Sequence, residues 1–241
     1  RALARSIIKT KGYNQKDCAK EFVDEYNRTT IGWGSTTKKS VEELHLYFQS
    51  NGRNGRCPDA PSQSSGSKPA CGNGVAMRIS PLILFRVACQ LLQQDKSKHP
   101  AGILDEIMRH GLMTHADPRA SYAAYALALT MDFTFKAPST TTYRNEPIDV
   151  NCAFLNRLIN KITYAQIKYF DKELEENKKI IFHDSLAHRF WRFFENPRDI
   201  MRSHMVKETL GTGCYALESV PFSIATFMRH PEDFREGVLE A

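Results

Sequence analysis

Apolar residues recur along this chain with the period of a helix. Ala19, Phe22, Val23 and Tyr26 fall at i, i+3, i+4 and i+7, one apolar stripe on an otherwise charged segment. Val41, Leu44, Tyr47 and Phe48 repeat the pattern behind a Ser/Thr-rich start that can cap a helix. Residues 51–71 read NGRNGRCPDAPSQSSGSKPAC, a Gly-, Pro- and Ser-rich stretch that predicts a long loop. Gly72-Asn73-Gly74 then opens an apolar segment that runs to about Leu92. A short amphipathic helix is predicted over 101–113. Asp117-Pro118 marks the next helix start, with Asp as N-cap and Pro at the first helical position. The Ala-rich run behind it continues through Leu129, and residues 136–147 predict a second loop. Helical patterns resume at about 149–177, 184–195 and 199–210. A final pair is predicted at 214–229 and 232–240, separated by His230-Pro231.

Convincing two-residue alternation is absent, so the expected class is all-α. The loops are embedded between helices rather than placed as linkers, and no internal repeat is visible. A single domain over residues 1–241 is the expectation.

Composition narrows the picture modestly. Hydrophobic residues make up 41% and charged residues 25% of the 241, as in a globular chain able to bury a core. No run approaches the roughly 18 apolar residues of a spanning helix; Leu82–Leu92 and Tyr122–Phe135 come nearest and are interrupted by polar residues. The opening Arg1-Ala2-Leu3-Ala4-Arg5 leads into a basic, polar segment rather than a secretory signal, and there is no initiator Met, which reads as a processed chain or a fragment. Six cysteines at 18, 57, 71, 89, 152 and 214 form no Cys-x-x-Cys pair, which argues against a zinc ribbon or a thioredoxin-like site and for free thiols in a reducing compartment. The net charge of +6 is spread thinly, with Lys38-Lys39 and Lys178-Lys179 the longest clusters, and reads as a solvated surface.

Three stretches can carry chemistry. In Cys71-Gly72-Asn73-Gly74-Val75-Ala76-Met77-Arg78, two glycines around an Asn let the backbone turn tightly and approach a ligand, and a helix directly behind would offer its free N–H groups to an anion. It is neither a Walker loop nor a Rossmann fingerprint. In Thr114-His115-Ala116-Asp117-Pro118-Arg119-Ala120, an imidazole sits just before a helix start, where it can meet a phosphate or a sugar hydroxyl. In Gly211-Thr212-Gly213-Cys214-Tyr215-Ala216-Leu217-Glu218-Ser219-Val220-Pro221, a Gly-x-Gly turn again precedes an apolar helix, with Pro221 early in it or at a kink. Each stretch taken singly also fits a plain turn, cap or packing role.

Taken together and in this order, the three stretches resemble the ADP-ribosylglycohydrolase family, which includes hydrolases of ADP-ribosyl-arginine and ADP-ribosyl-serine and some lens crystallins. The resemblance runs over essentially the whole chain, is most specific at Gly72–Arg78 and carries little signal over 136–205. It implies a compact, orthogonal multi-helix fold, truncated here at both ends, and two magnesium ions. Those ions would be held by an Asp-Asp-Thr motif upstream of the helix resembling residues 1–10 and an Asp-x-Asp-Thr motif after the one resembling 232–241. This chain contains no Asp-Asp and no Asp-Thr pair, so the resemblance assigns it neither metal ligands nor catalytic residues.

The resemblance does carry over substrate-binding positions. Gly72, Asn73 and Gly74 match the loop that holds the diphosphate and ribose; Cys71 lies in the same loop with Lys68, Pro69 and Ala70, which depart from the Gly-Ser-rich form of some members. His115 matches a histidine that touches the ligand, and Gly213 and Cys214 match the turn beside the adenosine. Met77 and Arg78 match positions assigned to packing and structural support. The implied activity of the intact protein is magnesium-assisted cleavage of an N- or O-glycosidic bond at the distal ribose, through an oxocarbenium-like state; the 241 residues alone are expected to be inactive and marginally stable. The implied partner is an ADP-ribosylated protein or a small ADP-ribosyl conjugate, met by a monomer in the cytoplasm, or alternatively the nucleus, with no nucleic-acid or membrane partner. The alternative is a non-catalytic, crystallin-like or ADP-ribose-binding relative. A basic helical nucleic-acid binder is the third class, and no recognised motif supports it.

Overall fold

The computed structural model describes residues 1–29, 31–60, 71–92, 102–136, 149–170, 185–194, 207, 210–230 and 233–240. Every regular element among them is helical, so the fold is all-α, as the periodicity predicts. The chain divides into two compact units, Arg1–Ala124 and Tyr125–Ala241.

The first unit contains α1 (Ala2–Thr10), α2 (Gln15–Arg28), α3 (Ser35–Gln49), a single 3-10 turn (Ala76–Arg78), α4 (Ser80–Leu91), α5 (Ile103–Leu112) and the start of α6 (Pro118–Lys136). Helix α1 ends where Lys11 takes a left-handed conformation (φ 54°), and Asn14 begins α2 by accepting the Asp17 N–H at 2.9 Å. The stripe read from the sequence faces inward: Cys18, Ala19, Phe22 and Val23 are buried on α2, with Tyr26 half-buried at its edge. Arg5 of α1 bridges Glu21 and Glu25 of α2, each at 2.7 Å. On α3, Val41 and Leu44 are buried while Tyr47 and Phe48 are half-buried. The expected Ser/Thr cap of α3 does not form. Gly34 is the N-cap, without a side-chain bond, and Ser35, Thr36 and Thr37 lie in the first turn itself.

Where α5 meets α6, the chain has no room for a side chain. A Cβ on Gly111 would lie 1.9 Å from Ser121 Oγ and 3.2 Å from Ser121 Cβ. The Ser121 hydroxyl is buried and makes no hydrogen bond among the described residues. Ser121→Ala is therefore expected to stabilise the protein by about 0.5–2 kcal/mol, since a buried, unsatisfied hydroxyl is removed. Gly111→Ala alone should cost about 1–3 kcal/mol by overpacking. In the double variant most of that cost should go, because only the 3.2 Å approach to the residue 121 Cβ remains and the helix propensity of alanine is about 1 kcal/mol better than that of glycine. Urea melts of the four proteins test this; additive single-variant effects would refute it.

The second unit holds the rest of α6 with α7 (Asp149–Phe170), α8 (Leu186–Phe194), α9 (Ala216–Arg229) and α10 (Phe234–Glu240). Phe133 of α6 stacks on Phe154 of α7 with ring centroids 4.4 Å apart. Pro221 lies inside α9 and has no N–H for the carbonyl of Leu217 one turn back. Arg189 of α8 supplies the missing donor, at 3.2 Å. The expected helical stretches 171–177 and 199–206 lie outside the described residues, as do 61–70 of the first loop and 137–147 of the second. No described helix is long and apolar enough to cross a membrane.

Candidate functional site

The first unit builds a polar cluster from three segments that are distant in sequence. Gly72 to Val75 form a turn, closed where the Met77 N–H donates to the Asn73 carbonyl at 3.0 Å. The turn leads through the 3-10 segment into α4, so a helix does follow the glycines, one turn later than a direct start. Cys71 is buried; Gly72, Asn73 and Gly74 are half-buried, and the Asn73 side chain makes no hydrogen bond among the described residues. Gly74 faces His115: a Cβ there would stand 3.1 Å from His115 Cε1, 3.5 Å from Nε2 and 3.8 Å from Thr37 Oγ1. The glycine thus lets the backbone come up against the imidazole and the first turn of α3, whose N-terminal amides lack a side-chain cap.

His115 is 3% exposed. Its Nδ1 is 2.8 Å from Thr114 Oγ1, and that hydroxyl also accepts a hydrogen bond from Arg78 Nη2. Arg78 Nε donates to His110 Nε2 at 2.9 Å, and the guanidinium lies 5.1 Å from the centre of the Phe22 ring. His110 in turn has Nδ1 3.8 Å from Cys18 Sγ, and its ring packs edge-on against Tyr13 and Phe22. No carboxylate pairs with Arg78 among the described residues. Burial lowers its pKa to about 10, leaving it charged at neutral pH. Burial and the Arg78 charge lower His115 to about 3 and push His110 well below the ordinary imidazole range, so both rings are neutral at pH 7. His115 Nε2 has no partner among the described residues, which leaves it available beside the glycine turn.

The remaining motif residues have local tasks. Asp117 caps α6, accepting the Arg119 N–H at 2.9 Å and pairing with its guanidinium at 2.7 Å, as the Asp-Pro start predicts. Arg78 is the structural support expected of it, whereas Met77 is 76% exposed and does not pack, because the 3-10 turn points it away from the core. Gly213 and Cys214 are exposed in the second unit. There the glycines make room for the chain's own anion: Gly213 N–H donates to Glu218 Oε2 at 3.1 Å, and a Cβ on Gly211 would meet Glu218 Cδ at 2.8 Å. Five cysteines, 18, 57, 71, 89 and 214, are free thiols.

Sequence reading missed Thr37, His110 and Arg56. Arg56 is 5% exposed; its Nε pairs with Glu43 at 3.0 Å, its Nη1 reaches the Ala60 carbonyl at 2.6 Å, and its Nη2 reaches the Met113 carbonyl. It anchors the loop after α3 to the residue preceding Thr114. Nothing in a Gly-Arg-Cys string distinguishes such an arginine from a solvated one. For His110, the helical stripe of α5 was the available signal.

Among the described residues no three His, Cys, Asp or Glu side chains gather where they could hold a metal ion. The described residues therefore offer no carboxylate set that fits a paired magnesium site.

A family model described as ADP-ribosylglycohydrolase matches residues 1–241. A curated relative, ADP-ribosylhydrolase ARH3 of Xenopus tropicalis, is 25% identical over 237 residues, which is 95% of this chain and 58% of that protein. The chain therefore spans little more than half the length of the relative it matches.

Proposed function

Since this chain belongs to the ADP-ribosylglycohydrolase family, we propose that it forms the ligand cradle of a hydrolase that removes ADP-ribose from a modified protein or a small ADP-ribosyl conjugate. The observation that carries this reading is the placement of Gly74 against His115, 41 positions apart in sequence, with the unpartnered Nε2 between them and Thr37 alongside. Such an arrangement suits a ligand rich in oxygen. An uncapped helix start and a half-buried glycine backbone can meet phosphate oxygens, while a neutral imidazole can hydrogen-bond a ribose hydroxyl or a phosphate without a charge of its own. The work assigned to these residues is binding and orientation. Holding the ribose in one pose is what lets glycosidic cleavage pass through its oxocarbenium-like state in a fixed geometry.

Isothermal titration of the full-length protein with ADP-ribose tests the reading. His115→Ala and Asn73→Ala should each weaken binding roughly 2- to 12-fold for a neutral contact and up to about 150-fold for one to phosphate. Gly74→Ala should also weaken it, because the new methyl presses on the imidazole. Unchanged affinity in all three folded variants would overturn the assignment. Tight binding without release of ADP-ribose from a modified protein would instead mark a non-catalytic relative.

A further inference from the structure

We propose that Arg78 and Thr114 are positioning residues that fix His115 in a single protonation form, with its proton on Nε2, facing the Gly74 turn. The role rests on the cradle reading only for its purpose; the geometry stands by itself. Thr114 is fully buried, and among the described residues its hydroxyl has two hydrogen-bond neighbours, Arg78 Nη2 and His115 Nδ1, the latter at 2.8 Å. A guanidinium can only donate, so the hydroxyl oxygen accepts from Arg78. The hydroxyl proton must then go to the other neighbour. Were Nδ1 protonated, two donors would converge on the oxygen and the hydroxyl proton would point at no acceptor among the described residues, a costly arrangement in a buried site. Nδ1 is therefore the acceptor, and the ring proton lies on Nε2.

The same logic holds Arg78 in place from its other end. Its Nε–H donates to His110 Nε2 at 2.9 Å, so His110 carries its proton on Nδ1, directed at Cys18 Sγ 3.8 Å away. One arginine thus sets two imidazoles in opposite forms: His110 with Nδ1–H and His115 with Nε2–H. Its charge, which no described carboxylate offsets, disfavours a second proton on either ring. His115 consequently presents a donor, and never an acceptor, toward the ligand. The cradle would then select an oxygen acceptor at that point, a phosphate oxygen or a ribose oxygen lone pair, over an incoming N–H.

Nitrogen-15 NMR of the histidine-labelled protein at pH 7 reads the assignment directly, because protonated and unprotonated ring nitrogens resonate far apart. The expected result is an Nε2–H signal for His115 and an Nδ1–H signal for His110. Thr114→Val, which keeps the shape and removes the hydroxyl, should release His115 into a mixture of forms and weaken ADP-ribose binding roughly 2- to 12-fold. Thr114→Ser should restore both. A wild-type His115 protonated on Nδ1, or on both nitrogens, overturns the proposal without any variant having to fold. If the ring signals are as expected and switch in Thr114→Val while affinity stays constant, the positioning role stands and the cradle reading is what fails.

Discussion

Gly55→Ala is expected to cost the protein about 2–4 kcal/mol, from the strain of a non-glycine residue in a left-handed conformation together with overpacking. Gly55 has φ +81°, and a Cβ there would lie 2.4 Å from both the Glu43 carbonyl oxygen and the Tyr47 nitrogen. Those two atoms are the donor and acceptor of one rung of α3, so the methyl would be driven into the helix backbone, which cannot rotate aside as a side chain can. The Arg56 N–H donates to that same Glu43 carbonyl at 3.2 Å, so displacing Gly55 also displaces the arginine behind it. Because Arg56 holds the Met113 carbonyl, next to Thr114 and His115, the damage should reach the cradle. Chemical denaturation gives the stability change, and ADP-ribose titration of the folded fraction gives the second effect. A stability loss below about 0.5 kcal/mol, the scatter of an ordinary surface substitution, would show that the loop does not pack as described.

Acid should destabilise the first unit as pH falls below about 6.5. His115 is held down to about 3 and His110 well below its ordinary value, while in the unfolded chain both titrate near 6.5. Below about pH 6.5 the unfolded state therefore binds protons that the native state refuses, and stability falls as pH falls. The stabilisation is fully present above the unfolded value and is lost progressively on the way down to the folded one. Each ring contributes about 1.4 kcal/mol per pH unit inside that window. The groups facing them are Arg78, Cys18, Tyr13 and Phe22 around His110, and Arg78 and Thr114 around His115. None is a carboxylate that could rescue the charged form. Glu106 acts the other way: burial raises its pKa, so its native form takes up a proton more readily as pH falls, and Arg86 moderates that shift. Urea midpoints at pH 7.5, 6.5, 5.5 and 4.5 should fall steadily below 6.5, and His115→Gln should remove about half of the slope. A profile flat to pH 5 would mean that these rings are solvated.

The helices themselves were legible because each is a local matter. The apolar stripe Ala19, Phe22, Val23 faces the core wherever α2 is placed, since a period near 3.6 residues puts those side chains on one side. The Asp117-Pro118 start was legible for the same reason: a cap bonds to an amide two residues away, so the donor, the acceptor and the fixed proline φ lie in one short string. The glycine turn and His115 could be singled out as residues suited to a ligand, and their family motif placed the chain in its family.

What those residues touch was decided only by the tertiary structure. The Ser/Thr run before α3 reads as a cap, yet Gly34 takes that position and Thr37 is carried to the side of Gly74. The Gly-x-Gly turn before α9 reads as a turn that could lie beside a ligand, yet the Glu218 carboxylate reaches back to it. Arg189 meets the carbonyl orphaned by Pro221, and Arg56 meets that of Met113, across 28 and 57 positions of chain. The physical reason is common to all of these. A helix turn is set by bonds spanning four residues, whereas the partner of a buried donor is whichever acceptor the packing delivers, and no local pattern encodes that choice. Sequence thus determined where helices run and which residues could meet a ligand. Packing alone brought Arg78, Thr114, His115 and Gly74 together, because Arg78 reaches the Thr114 hydroxyl, and Gly74 lies against the His115 ring, between segments that the chain holds more than thirty residues apart.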